Sequence, residues 1–393
     1  MLYRPQSSKD MQAKFQTKKF HMGDELPRPA DVIDGLVSYD AVSSLDKIRG
    51  LPAGVTPLKL DWNESTITPS PLVVQAITQF LGNSQHLNWY PDLGATRLRK
   101  ALTSYTGTPL ESMLVTNGSD DALELICKTY LGKGDDAVVA WPSYAHFLVY
   151  AKSRGLEPRL VTPSDVFEVP TATLMREIRP DTQLVYITSP NNPTGVVIPT
   201  DDVEQLCRAF PRTLFVVDEA YYEFSGVTAV GLVKRYPNLI VTRTFSKCFG
   251  IAGLRIGYLV ASDPVILQLK KLYNPKSVNA LAQVAAQAAL SDKQFREDYV
   301  DEVTRGKEIL LQGLIERGAH ARTGDANFIL VKVLDPLKFV QSLESAAVYV
   351  RDRSNMPGFK GWVRITVGTV AQMEDLLTRI DELLKKNPRL LDH

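Results

Sequence analysis

The stretch from residue 113 to residue 261 constrains the fold most, because short apolar runs alternate there with helical patterns. The apolar runs are residues 113–115, 137–140, 184–187, 214–217, 239–241 and 258–260. Short β-rich runs that alternate with helices predict an α/β fold with a mostly parallel central sheet and helices on both faces. Ligands bind outside the carboxyl ends of the strands in such sheets. The residues that follow each run are therefore the first candidates for a functional site.

Polar clusters follow four of these runs. Residues 116–121 follow the first run, residues 188–195 the third, residues 218–221 the fourth and residues 242–247 the fifth. Because the carboxyl ends of parallel strands meet at one edge of a sheet, we expect these clusters to lie close together.

The pattern changes beyond about residue 273. The predicted elements there are helices over 278–290, 295–317 and 373–384 and strands over 328–333 and 362–367. This mixture indicates a second, smaller α+β domain. We predict a large domain over residues 69–275 and a small domain built from residues 36–68 and 276–393. Residues 1–35 are polar and are predicted to be an N-terminal arm that is partly disordered.

The charge balance excludes several classes of partner. The chain has 45 Lys and Arg against 44 Asp and Glu, a net charge of +1, which provides no general attraction for nucleic acid or for an anionic membrane. No apolar run is long enough to span a membrane. The three cysteines are an odd number without CxxC spacing, which favours a reducing cytoplasm. The five histidines are scattered, so no metal site is expected.

Lys247 is the sharpest single feature of the sequence. A lysine amine with its usual pKa near ~10.4 is a poor nucleophile at neutral pH, and it becomes useful where burial or a covalent cofactor lowers that value. Lys247 directly follows an apolar strand and precedes a segment with closely spaced glycines, which allow close approach of the backbone. A solvated surface lysine would not require this setting.

These residues resemble a known family. Residues 244–257, TFSKCFGIAGLRIG, resemble the lysine attachment signature of the fold-type I aminotransferases that use pyridoxal 5'-phosphate (PLP). Residues 189–195, SPNNPTG, are similar to the Asn-Pro-x-Gly turn of the family, and residues 218–224, DEAYYEF, resemble its aspartate strand end. The likeness runs from about residue 60 to residue 384. It is strongest to the histidinol-phosphate aminotransferase branch, through residues 218–224, 243–247 and 364–369.

The resemblance implies PLP as cofactor and gives roles to the residues around its ring. Lys247 would hold PLP as a Schiff base and then move the proton between the substrate Cα and the cofactor. Asp218 would pair with the pyridinium nitrogen, although it could instead cap a helix. Tyr221 and Asn192 would donate hydrogen bonds to the ring oxygen, and Tyr144 would stack on the ring.

The phosphate of PLP requires anion donors. The strand-to-helix junction at residue 118 suits an anion, because free N–H groups and the helix dipole point there. Asp120 at this junction would contribute its backbone N–H or cap the helix. The resemblance adds side-chain donors. Among them is Arg255, whose guanidinium can donate two hydrogen bonds to one anion. The predicted phosphate donors are Gly118, Ser119, Asp120, Thr244, Ser246 and Arg255.

Tyr90 matches a family tyrosine that reaches the phosphate of the neighbouring subunit. The resemblance therefore implies a homodimer in which two chains build each active site.

The substrate side is less closely matched. Arg364 matches the arginine that clamps the substrate carboxylate, and Arg351 matches a second arginine of the branch. Arg353 is an additional candidate, and both Arg351 and Arg353 could instead be solvated loop charges. Trp62 and Ile67 depart from the pattern of the branch at positions that face the substrate.

We therefore expect an aminotransferase that moves an amino group from an amino acid, histidinol-phosphate-like or specialised, to a 2-oxo acid. An alternative keeps PLP but eliminates, decarboxylates or cyclises a specialised amino acid, such as a guanidino amino acid. A non-enzymatic PLP sensor is disfavoured, because the first thirty residues do not resemble a helix-turn-helix. A nicotinamide dehydrogenase is disfavoured because no GxGxxG follows a strand.

Overall fold

The computed structural model describes residues 29–36, 43–83 and 86–393. The chain divides into two compact units, residues 1–36 and residues 37–393. The described part of the first unit contains one 3-10 turn, Asp31–Ile33. Most of the predicted N-terminal arm lies outside the described residues. Within the described residues, no helix combines the length and the apolar character needed to cross a membrane.

The described part of the second unit contains thirteen strands and thirteen α-helices. The strands are β1 Leu58–Lys59, β2 Met113–Thr116, β3 Asp136–Ala140, β4 Arg159–Val161, β5 Thr182–Thr188, β6 Leu214–Asp218, β7 Leu239–Thr244, β8 Gly257–Ala261, β9 His320–Thr323, β10 Phe328–Lys332, β11 Val348–Tyr349, β12 Arg351–Asp352 and β13 Trp362–Thr366. The helices are α1 Leu45–Arg49, α2 Pro71–Asn83, α3 Thr96–Thr106, α4 Gly118–Tyr130, α5 His146–Lys152, α6 Thr171–Glu177, α7 Thr200–Ala209, α8 Tyr222–Ser225, α9 Asp263–Leu269, α10 Ala280–Ser291, α11 Lys293–Glu316, α12 Pro336–Ser345 and α13 Val370–Lys386.

The central sheet has seven strands in the order β2-β8-β7-β6-β5-β3-β4. Strands β4, β3, β5, β6 and β7 pair in parallel, whereas β8 is antiparallel to both β7 and β2. The predicted α/β fold with a mostly parallel sheet is thereby confirmed, and each of the six apolar runs is a strand. The strand β4 was not predicted, because its short sequence RLV carries a charge and lies at the sheet edge.

Alternation of the strand side chains creates a core on each face of this sheet. Val217 belongs to the hydrophobic cluster on one face, and its neighbour Val216 belongs to the cluster on the other face. Successive residues of a strand point to opposite faces, so a strand covered on both sides reads as a continuous apolar run. This is why the strands could be recognised from the sequence.

A four-stranded antiparallel sheet in the order β12-β13-β10-β9 carries its own core. Side chains of β10, β13, α11, α12 and α13 form that hydrophobic cluster. Helix α13 begins at a capping box in which Thr369 and Gln372 satisfy each other's backbone N–H groups. Helix α10, which the sequence analysis assigns to the small domain, places Ala282, Ala285 and Ala286 in a core of the large sheet. The domain boundaries remain a prediction.

Candidate active site

Asp218 is the last residue of β6 and its side chain is buried. Its carboxylate accepts hydrogen bonds from the Tyr186 hydroxyl at 2.9 Å and from Thr242 Oγ1 at 2.9 Å. Burial raises the pKa of Asp218 to about 6, and the two hydrogen bonds act against that rise. The next helix begins only at Tyr222, so Asp218 does not cap it. An anion held in this way suits a cationic ring nitrogen.

Lys247 lies three residues beyond the end of β7 and is half-buried. Its Nζ donates a hydrogen bond to the backbone carbonyl of Trp62 at 2.9 Å. The same nitrogen lies 5.9 Å from the centre of the Tyr221 ring. The amine therefore lies beside the polar clusters at the carboxyl edge of the sheet, where the sequence predicts a reactive lysine.

The N-terminus of α4 and the segment after β7 meet at the predicted phosphate site. We call this site, formed by residues 118–120, 244, 246 and 255, the cradle. Gly118 has a φ of +84°, and a Cβ at this position would lie 2.8 Å from the guanidinium of Arg255. Arg255 Nη1 lies 3.4 Å from Ser246 Oγ, which accepts a hydrogen bond from Thr244 Oγ1 at 2.9 Å. Glycine at residue 118 thus leaves room for a guanidinium beside free helix N–H groups, an arrangement that suits a phosphate.

The carboxylate of Asp120 connects this cradle to an aromatic ring. It accepts a hydrogen bond from the Tyr144 hydroxyl at 2.9 Å and forms an ion pair with Arg255 at 3.2 Å. The carboxylate that binds the Asn117 N–H at the start of α4 belongs instead to Asp121, at 2.8 Å. The side chain of Asp120 thus positions two other candidate residues.

Tyr221 and Asn192 approach the site from two different loops. The hydroxyl oxygen of Tyr221 accepts a hydrogen bond from Asn63 Nδ2 at 2.9 Å. The Oδ1 atom of Asn192 accepts one from Arg364 Nη1 at 2.6 Å. Because the Asn192 oxygen is bound to the arginine, its Nδ2 group is the end that can donate to a ligand.

Arg364 lies in the middle of β13 and is buried. Its Nη2 donates to the backbone carbonyl of Asp61 at 2.7 Å, and its buried Nε has no hydrogen-bond partner among the described residues. Burial, and next the nearby Arg353, lower the pKa of Arg364 well below its ordinary value. Arg351 of β12 lies directly opposite Arg364 in the antiparallel register. Arg351 and Arg353 therefore place further positive charge in the region of Arg364.

The remaining predicted site residues, Tyr90, Trp62 and Ile67, differ in exposure and in their neighbours. Tyr90 is 78% exposed, with the Lys276 amine 5.1 Å from the centre of its ring. Trp62 is half-buried beneath the Lys59 amine, which lies 5.8 Å from its ring centre. Ile67 is half-buried and packs against the core of the four-stranded sheet. The structure therefore brings Trp62 to Lys247 through its backbone, whereas Tyr90 is turned outward.

Several residues of this site were not predicted from the sequence. Tyr186 and Thr242 bind Asp218, and Asn63 binds Tyr221. Tyr186 and Thr242 lie on the two strands that flank Asp218, and Asn63 lies far from Tyr221 in sequence. No local motif therefore marks these residues.

A buried ion pair was also missed. Arg243 donates to a carboxylate oxygen of Glu219 through Nε at 2.9 Å and Nη2 at 2.8 Å, and both side chains are 2% exposed. The guanidinium also lies 3.5 Å from the centre of the Tyr222 ring. The pair joins the ends of β6 and β7 immediately beside Asp218 and Thr244.

The chemistry of these groups fits PLP. A phosphate matches the cradle at residue 118, a pyridinium matches the buried Asp218, and an aldehyde carbon matches the amine of Lys247. The unpaired Nε of Arg364 provides a further donor for an anion. PLP supplies an electron sink for the electrons of a broken bond at a substrate carbon.

Comparisons with known proteins agree with this geometry. Residues 55–380 match the family described as aminotransferase class I and II. The chain is 38% identical over 335 residues to a dihydroxyacetone phosphate transaminase of Campylobacter jejuni, covering 84% of this chain and 90% of the relative. It is 33% identical over 331 residues to a histidinol-phosphate aminotransferase of Ruminiclostridium cellulolyticum, covering 83% and 91%.

A solved structure shares the fold. The histidinol-phosphate aminotransferase of Sinorhizobium meliloti in complex with pyridoxal-5'-phosphate superposes with a TM-score of 0.79 at 24% identity, covering 92% of this chain and 99% of that one. The fold-type I architecture expected from the sequence is confirmed by this likeness.

Proposed function

The chain belongs to the class I and II aminotransferases and is a PLP-dependent transaminase, and we propose that one of its two substrates carries a phosphate ester. The observation that carries this proposal is the positive charge that Arg351 and Arg353 add in the region of Arg364. Like charges directly across a strand pair destabilise a sheet, and an anionic ligand bound beside them would reduce this repulsion. Two relatives at 33% and 38% identity have names that specify phosphorylated substrates.

The residues around the cofactor ring have the roles that the resemblance implies. Lys247 would hold the cofactor and, once released, would move a proton to or from the reacting carbon of the substrate. Asp218 keeps the ring nitrogen protonated by offering it a buried negative charge. Tyr221 and Asn192 donate to the ring oxygen, and Tyr144, tied to Asp120, covers the ring. The carbonyl of Trp62 supports this proposal, because it accepts a hydrogen bond from the Lys247 amine.

The cradle at the start of α4 would hold the phosphate of the cofactor. Gly118 and Ser119 offer backbone N–H groups, and Thr244, Ser246 and Arg255 offer side-chain donors. The close approach supports this role: a Cβ at Gly257 would lie 2.6 Å from the Ser119 nitrogen, so glycine allows the two segments to meet.

The arginines receive the substrate. Arg364 clamps a carboxylate when the substrate is an amino acid, and Arg351 and Arg353 add charge for the phosphate ester of the other substrate. In ping-pong transfer both substrates use one site in turn, so one set of cations must serve both anions. Trp62 and Ile67 set the shape of the pocket beside them.

The test compares histidinol phosphate with histidinol as donor. We expect the enzyme to prefer the phosphorylated donor in kcat/KM, and the Arg351→Gln variant to lose about tenfold or more of that value, because a hydrogen bond to a charged group is worth about 1.5–3 kcal/mol. The unphosphorylated donor should change less than about threefold. The matched control is Arg322→Gln, an arginine of the same sheet that stacks on Phe167 at 4.2 Å. Equal rates for the two donors would contradict the proposal.

We further propose a homodimer with shared active sites. The exposed side chains of Leu87, Trp89, Tyr90 and Leu93 lie close together in sequence and support such a contact, because exposed apolar clusters mark interfaces. In the dimer, Tyr90 reaches the cofactor phosphate of the neighbouring subunit. Mixing the variants Lys247→Ala and Tyr90→Ala should restore activity to about a quarter of that of the unaltered enzyme, since random pairing gives half heterodimers with one intact site each. Mixtures without restored activity would contradict shared sites.

We also propose that the enzyme works in the cytoplasm. Cys127, Cys207 and Cys248 are buried thiols without disulfide partners, which agrees with a reducing compartment.

A further inference from the structure

The tripeptide 61–63 contacts three residues of the active site at once. The carbonyl of Asp61 accepts from Arg364 Nη2 at 2.7 Å, and the carbonyl of Trp62 accepts from Lys247 Nζ at 2.9 Å. Asn63 Nδ2 donates to the Tyr221 hydroxyl oxygen at 2.9 Å. Of these three contacts, the one from Asn63 alone uses a side chain of the tripeptide. A substitution at Asn63 can therefore test what the contact does.

The surroundings of Asn63 fix the orientation of its side-chain amide. Asn63 is fully buried and has a φ of +53°, a conformation that asparagine tolerates better than most residues. Its backbone N–H donates to Thr366 Oγ1 at 3.0 Å, and the Thr366 hydroxyl donates to Asn63 Oδ1 at 3.1 Å. The Thr366 hydroxyl thus accepts from the backbone N–H and gives its single proton to the amide oxygen. The NH2 end therefore faces Tyr221.

This orientation determines the direction of the Tyr221 hydrogen bond. The Tyr221 oxygen accepts from Asn63, so its own proton remains available for a ligand. We propose that Asn63 is a positioning residue that keeps Tyr221 a hydrogen-bond donor toward the ring oxygen of the cofactor. The inference rests on the proposed placement of the cofactor beside Tyr221. A donated hydrogen bond stabilises negative charge on the ring oxygen, and this lowers the pH at which the enzyme-bound cofactor loses its proton.

The decisive variant is Asn63→Asp. Aspartate has nearly the same size and also tolerates positive φ, but its carboxylate only accepts hydrogen bonds. The carboxylate would accept a hydrogen bond from the Tyr221 hydroxyl, so that this hydroxyl would no longer donate to the cofactor. We expect the pH midpoint of the cofactor absorbance in the holoenzyme to rise by about one unit or more, since about 1.4 kcal/mol corresponds to a tenfold change. The Tyr221→Phe variant should show a similar rise.

A double variant separates this inference from the proposed site. If Asn63 acts through Tyr221, the variant with both substitutions should show no larger rise than Tyr221→Phe alone. A Tyr221→Phe midpoint equal to that of the unaltered enzyme would contradict the cofactor placement itself. A shift in Tyr221→Phe together with no shift in Asn63→Asp, or additive shifts in the double variant, would overturn the role of Asn63 while leaving the placement intact.

Two further variants distinguish this effect on the cofactor from a general loss of stability. Asn238→Asp places the same substitution at a part-buried asparagine that donates to three backbone carbonyls far from the site in the fold, and it should destabilise the protein without moving the midpoint. Thr366→Val removes the hydroxyl that orients Asn63 and should raise the midpoint by less than Tyr221→Phe does. An unchanged midpoint in Thr366→Val would also count against the proposal.

Discussion

Replacing Asp218 by asparagine should make the cofactor-free protein more stable at neutral pH while making the holoenzyme less active. The carboxylate of Asp218 is buried, and its two partners, Tyr186 and Thr242, are neutral hydroxyls. Burial of a charge without a cation is unfavourable. An asparagine at this position can keep both hydrogen bonds without the charge.

The magnitude follows from the pKa of Asp218. Burial raises this pKa from 3.8 to about 6, and a tenfold change corresponds to about 1.4 kcal/mol, so ionisation destabilises the folded protein by about 3 kcal/mol. The unfolded carboxyl ionises near 3.8 and the folded one near 6. The stability that the protonated group contributes is therefore complete below 3.8 and is lost as the pH rises through about 6.

The assay is urea unfolding of the cofactor-free proteins at pH 8 and pH 5. The variant Asp218→Asn should be more stable than the unaltered protein by up to about 3 kcal/mol at pH 8, and by roughly half of that at pH 5. The turnover of the variant with PLP should fall by about tenfold or more, since the ring nitrogen loses its anion. An equal advantage at both pH values, or no advantage at pH 8, would refute the reasoning.

Three further predictions concern the same edge of the sheet. Lys247→Ala should abolish turnover and leave only noncovalent PLP binding, as monitored by absorbance, and retained turnover would exclude Lys247 as the reactive amine. Gly118→Ala should weaken PLP binding about tenfold or more in equilibrium dialysis, because a left-handed non-glycine residue costs about 1–2 kcal/mol and its Cβ meets Arg255 at 2.8 Å. Arg243→Met should destabilise the protein by about 3–5 kcal/mol in urea unfolding by leaving Glu219 unpaired, and the added substitution Glu219→Gln should recover most of that loss.

The strands of the central sheet could be predicted because burial on both faces leaves a continuous apolar run. The helix boundaries were less accurate: the helix predicted over 373–384 begins earlier, at Val370, because the capping box formed by Thr369 and Gln372 starts the helix one turn sooner. The antiparallel direction of β8 could not be read from its sequence, since a buried strand looks the same in either direction. The connection from β7 to β8, residues 245–256, contains a 3-10 turn and no crossover helix, and β8 returns beside β7 in the opposite direction.

The residues of the candidate site also differ in how well the sequence predicts them. Asp218 ends one buried strand and Lys247 lies three residues beyond another, so their positions could be inferred from the sequence alone. The partners that tune them come from elsewhere in the chain: Tyr186 reads as one more apolar residue of β5, and its hydroxyl reaches Asp218 only because β5 and β6 are adjacent. Asn63 lies 158 residues from Tyr221. Such pairs depend on tertiary packing, which no local pattern encodes.

The charge of the site indicates which ligands it can receive. Cationic side chains at the proposed cofactor and substrate positions outnumber the acidic ones, Asp120 and Asp218. The cations are Lys247, Arg255, Arg351, Arg353 and Arg364. Arg255 already faces Asp120, and burial together with Arg353 lowers the pKa of Arg364. A cofactor phosphate would face Arg255, so Arg351, Arg353 and Arg364 are the cations proposed to receive the substrate anion. A carboxylate or a phosphate ester would reduce the repulsion among these arginines, whereas a neutral amine would not, and this difference is the proposed basis for a preference for anionic partners in both half-reactions.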